Sequence, residues 1–165
     1  MQCIFSYCKE DLSGDLFVVA FYATLVLATV GLSLIARSRA VRAAALLIAG
    51  AWALSLFAFF YVKIPAYYLA VVLLDTALAY HFWRMAKVHI FPAPLCVIQL
   101  VDIAFVAFAL TVGLSTYWTL FVMNRLFELT LAYLIGCALF RLHILRRQRK
   151  SKTPLTGWRA NFVVG

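Results

Sequence analysis

Asp75, Asp102 and Glu128 are three carboxylates set about halfway along three successive apolar stretches, and Arg125 stands one helical turn before Glu128. A charge at the centre of a bilayer costs about 2.5–3.5 kcal/mol even on insertion scales. Such groups therefore face a protein interior or a water-filled path and pair with one another. Residues three and four apart share a helix face. Asn124, Arg125 and Glu128 thus form one polar patch and Gln99 and Asp102 a second, while Asp75 is flanked on its face by Val71, Val72, Leu78 and Ala79. One guanidinium cannot neutralise three carboxylates. At least one carboxyl is then protonated, or faces water or a bound cation. That is the chemistry of a proton-titrating site or a cation path. Two other uses compete with it. Membrane helices employ Asn, Gln and ion pairs as packing glue, and a subunit can use its acids to meet a basic partner helix. Binding of a small polar ligand or lipid headgroup is a further use.

The elements that must hold these residues are apolar helices. Of 165 residues 66% are hydrophobic and only 13% charged, whereas a soluble domain is about half apolar. A spanning helix needs about 20 mostly apolar residues. Five segments qualify on this reading: 16–36, 43–62, 66–83, 95–113 and 117–140. Their apolar runs are continuous rather than alternating, which favours helices over strands. The expected fold is all-α: a polytopic bundle of five transmembrane helices at 16–140, between an extracytoplasmic segment at 1–15 and a basic cytoplasmic tail at 141–165. Counting from the segment ends puts Asp75, Asp102, Arg125 and Glu128 at similar depths, so the third, fourth and fifth helices are expected to converge on them.

Charge placement sets the orientation. The formal net charge is +9, yet the basic residues lie between and after the apolar segments, so no nucleic-acid partner is inferred. Arg37, Arg39 and Arg42 fill the first connection, Arg84, Lys87 and His89 the third, and Arg141, Arg146, Arg147, Arg149, Lys150 and Lys152 follow the fifth segment. The second connection has only Lys63 and the fourth no charge. Under the positive-inside rule the N-terminus lies outside and the C-terminus inside. Residues 1–15 lack the positive charge of a signal peptide, so the first helix reads as an uncleaved anchor. A bacterial inner membrane or its equivalent is the expected location. Tyr61, Tyr67, Tyr68, Tyr117 and Trp118 suit an outer aromatic belt, and Phe82, Trp83 and Phe91 an inner one.

Ala45, Ala49 and Ala53 recur every four residues in the second segment, beside Gly50 and Ser55. Small residues permit close approach between helices, either as an internal seam or as an oligomer contact. Cys3 and Cys8 would form a short-loop disulfide if their end faces an oxidising compartment, whereas Cys96 and Cys137 read as packing residues. The basic tail is a topology signal, and it would also rest against anionic headgroups if helical. An acid and a tyrosine recur at equal spacing in 73–80 and 126–133, a match too brief to establish a duplication. No metal-ligand spacing, phosphate loop or nucleophile elbow is present, so neither an enzyme nor a cofactor is expected. The leading expectation is a small oligomeric ion channel or proton-conducting protein. The alternative is a non-catalytic structural or assembly subunit of a larger membrane complex.

Overall fold

A computed structural model describes residues 12–62 and 64–150, with side chains described over 17–62 and 66–147. The described residues form five helices: α1 (Leu12–Ile35), α2 (Arg39–Tyr61), α3 (Ile64–Ala86), α4 (Pro92–Val112) and α5 (Thr116–Lys150). Cys3 and Cys8, with the disulfide expected between them, lie outside the described residues.

The helix ends follow local chemistry. Arg37 leaves α1 with φ of 53°, a left-handed turn normally given to glycine. Ser38 then caps α2, its hydroxyl accepting from the Val41 N–H at 3.4 Å. Pro65 lies in the first turn of α3 and Pro92 opens α4, positions where a missing N–H is harmless. Gly113 closes α4 at φ of 72°, and the Leu114 N–H reaches back to the Ala109 carbonyl. These short links fold successive helices antiparallel.

Among the described residues four helices are long and apolar enough to cross a membrane: Phe17–Ile35, Arg39–Tyr61, Pro92–Val112 and Thr116–Arg147. The helix of the third expected span, with side chains described over 66–86, is not among them. Helix α3 has 23 residues, as many as α2, but Tyr67, Tyr68, Asp75, Tyr80, His81 and Arg84 dilute its apolar run. Only 22% of each apolar window is buried within the bundle. Phe17, Leu27, Leu54, Phe57, Leu110 and Leu129 are among the large side chains left outside. Soluble monomers rarely expose contiguous apolar surface on this scale. The protein is an integral membrane protein whose helix faces contact lipid.

Two ends of the bundle differ. Among the described side chains, Arg37, Arg39, Arg42, Arg84, Lys87, Arg141, Arg146 and Arg147 belong to the end formed by the α1–α2 and α3–α4 links and the end of α5. We call this the basic end. The opposite, sparse end carries the α2–α3 and α4–α5 links. Exposed Tyr61, Tyr117 and Trp118 ring it, but Tyr67 and Tyr68 turn inward and are buried. At the basic end Lys87 lies 4.1 Å over the Trp83 ring, whereas Phe82 is fully buried in the core. The expected belts are therefore only partly belts.

The interior is layered along the bundle axis. Near the sparse end Ala58, Tyr67, Tyr68, Val71, Val106 and Met123 pack together. Toward the basic end Val26, Ala44, Ile48, Leu78, Phe82, Leu95, Leu131 and Leu134 form a larger cluster. Ala36, Val41 and Ala138 close the basic end. Buried Thr29, Ser33 and Thr130 donate their hydroxyls to carbonyls of their own helices, which satisfies them without water. Ala44 and Ala45 are buried, Ala49 is half-buried and Ala53 exposed. The small-residue stripe thus begins inside the bundle and turns onto its surface. Helix α5 runs past residue 140 to Lys150, so the first part of the basic tail is a continuation of the last span.

Candidate functional site

Helices α3 and α4 run antiparallel and pack most closely of all pairs. Their register is fixed toward the basic end, where the Cys96 thiol lies 3.3 Å from the Ala79 carbonyl. One turn along α3 and nearly two along α4, Asp75 and Asp102 arrive at the same level. Their carboxyl groups approach within hydrogen-bonding reach of one another. Such an approach is favourable when the two groups share a proton. Asp75 is 9% exposed. Asp75 Oδ2 and Asp102 Oδ1 are buried and take no other hydrogen-bond donor. A buried acceptor left unpaired costs about 1–3 kcal/mol, which a proton held between the two carboxyl groups offsets.

The pair sits on a cavity of about 310 Å³ to which all five helices contribute. Gln99, one turn before Asp102, lines it and is buried. Asn124 of α5 and Tyr22 of α1 line it as well. Tyr67 of α3 and Ser55 of α2 line its sparse-end side. Apolar and aromatic walls complete it, among them Trp52, Phe59, Phe60 and Phe127. Phe59, Phe60 and Asn124 are exposed, so the cavity reaches the surface beside them. Toward the basic end Phe82, Leu95 and Leu134 have no exposed surface, and that half of the bundle is dry. The cavity is therefore a blind recess entered from one side.

Glu128 and Arg125 lie elsewhere. The Tyr22 hydroxyl donates to Glu128 Oε1 at 2.8 Å, joining α1 to α5. Arg125 donates to Glu128 Oε2 at 2.6 Å within α5, and its guanidinium lies 5.3 Å from the Phe121 ring. The Arg125 side chain is 58% exposed and that of Glu128 27%. The expected convergence of α3, α4 and α5 on one cluster thus becomes two separate pairs. Helix α5 turns its ionic face toward α1, and only Asn124 of its polar patch reaches the cavity. Arg125 engages neither Asp75 nor Asp102.

Tyr22 escaped the sequence reading. It is one tyrosine in an apolar run, and only its depth, level with Glu128, marked it. His81 is exposed and remote from the cavity. The two stretches with matching acid and tyrosine are not equivalent. Tyr80 is exposed, whereas the Tyr133 hydroxyl donates to the Phe91 carbonyl at 2.8 Å. Among the described residues no three His, Cys, Asp or Glu side chains gather as metal ligands.

No protein-family model, curated protein or solved structure matches the chain.

Proposed function

We propose that this is a small, oligomeric, proton-conducting membrane protein whose titrating site is the Asp75–Asp102 pair. The observation that carries the reading is the pair itself: buried Asp75 and half-buried Asp102 facing one another in the lining of a recess. Intramembrane carboxyl pairs of this kind take up and release protons when water reaches them. The recess supplies access on the flank where Phe59, Phe60 and Asn124 are exposed. The dry layer of Phe82, Leu95 and Leu134 toward the basic end acts as the gate, so an open ion pore through one chain is disfavoured.

In this reading α3 also spans. It matches α2 in length, and its Asp75 is matched by an Asp on the adjoining helix rather than exposed to lipid. Five spans with the basic end cytoplasmic satisfy the positive-inside rule. A bacterial inner membrane remains the proposed setting. Self-association follows from Arg125, whose half-exposed guanidinium on a lipid-facing helix is covered more cheaply by a second protein surface than by hydrocarbon.

That same exposed guanidinium favours the second reading, a non-catalytic assembly subunit in which Arg125 docks an acidic partner helix. Gentle extraction followed by native mass measurement separates the two. A homo-oligomer that dissipates a proton gradient in vesicles supports conduction, with flux falling by about tenfold or more in Asp75→Asn. A stoichiometric foreign chain with no flux supports the subunit reading.

A further inference from the structure

A proton alone does not account for the size and lining of the recess. About 310 Å³ is roughly ten waters at their ~30 Å³ share of the liquid, and it falls at the small end of ligand pockets. Its walls are mostly apolar and aromatic, with Trp52, Phe59 and Phe127 among them. Asp75 and Asp102 line the recess together with buried Gln99. A bare metal ion would need a shell of several charged or strongly donating ligands, and among the described residues no three His, Cys, Asp or Glu side chains gather. An anion would meet carboxyl groups and no cation, because Arg125 is held by Glu128 outside the lining. Aromatic walls beside two carboxyl groups are the features that attract an organic cation.

We propose that the recess binds a small organic ammonium ion, a primary or secondary amine on a compact apolar body, whose N–H groups donate to the carboxyl groups of Asp75 and Asp102. The inference rests on the Asp75–Asp102 pair being the functional site, and it names that site's ligand class. Gln99 and Asn124 flank the ammonium as neutral polar neighbours, and the apolar body lies among Trp52, Phe59 and Phe127. The groups able to titrate against the pair are few. Asp102 faces Asp75 from α4, Tyr67 lines the same recess from α3, and Tyr22 lines it from α1. The lining residues of α2 and α5 include no titratable side chain. Proton and ammonium therefore compete for the same two carboxyl groups, and acidification weakens ammonium binding.

The test is calorimetric titration of the full-length protein in detergent with 2-phenylethylammonium, against its uncharged analogue 2-phenylethanol. Saturable binding of one ammonium per chain is expected, with the alcohol about tenfold or more weaker. Asp75→Asn and Asp102→Asn should each weaken the ammonium by a similar factor and leave the alcohol unchanged. Wild-type protein supplies a check that does not depend on variants folding: the ammonium should perturb the infrared carboxyl band and the alcohol should not. Equal binding of both probes, no saturable binding, or an unperturbed band would overturn the proposal. Proton flux without ammonium binding removes this inference and leaves the conduction reading standing. Ammonium binding without flux does the reverse.

Discussion

A carboxyl group buried beside another carboxyl group is stable only when protons and donors are shared out among four oxygens. Asp75 and Asp102 face one another, and the buried oxygens Asp75 Oδ2 and Asp102 Oδ1 take no other donor. Glu128 is treated differently, with a donor on both oxygens, Tyr22 on one and Arg125 on the other. The first pair is poised to react with something that enters, and the second is a structural clasp between α1 and α5. Tyr22→Phe removes the clasp's inter-helix bond without changing ring volume. It should lower stability by about 1 kcal/mol, the scale of a hydrogen bond between membrane helices, as read by reversible unfolding in mixed micelles. A variant as stable as wild type would mean that Arg125 alone satisfies Glu128. At this scale the sequence was a good guide to which residues matter and a poor guide to which ones meet. Depth along a helix is readable by counting residues, but rotation about the axis depends on packing. Hence Tyr67 and Phe82, belt residues by depth, face inward, and Arg125 faces away from the aspartates.

At the scale of helices, apolar runs located all five elements, because a bilayer-length run leaves backbone groups no partners except those inside a helix. Ends were less legible. Helix α5 continues through Arg141, Arg146 and Arg147, because Leu, Arg and Gln favour helix whether or not lipid surrounds them. Hydropathy marks where a span stops, not where a helix does. Two glycines give a sharp test of the helix ends. An added Cβ meets nothing within 4 Å at Gly113 or at Gly136, but Gly113 has φ of +72° whereas Gly136 is mid-helix. Backbone preference alone should therefore decide. Gly113→Ala should cost about 1–2 kcal/mol, and Gly136→Ala should gain up to about 1 kcal/mol. Unfolding midpoints that shift in the same direction for both would contradict the assigned α4 terminus.

For the whole molecule, the open structural question is whether α3 crosses the bilayer with its four more apolar neighbours. Asp75, the residue that matters most, lies on it. Single cysteines on a background without native ones decide the matter. If α3 spans, Arg39→Cys and Val88→Cys should react with an impermeant maleimide from one side of the membrane and Ser115→Cys from the other. Val88→Cys reacting from the Ser115→Cys side would mean that α3 does not cross. The layered interior then gives the molecule its direction, with a recess opening on the flank of the sparse half and a dry core in the basic half.

The account depends most on a proton held between Asp75 and Asp102, and infrared difference spectroscopy of the folded protein across a pH titration measures it most directly. A protonated-carboxyl band should appear and vanish with pH in wild type, and it should be lost or displaced in both Asp75→Asn and Asp102→Asn while remaining in Glu128→Gln. A band absent from wild type, or one removed by Glu128→Gln and untouched by the aspartate variants, would contradict it.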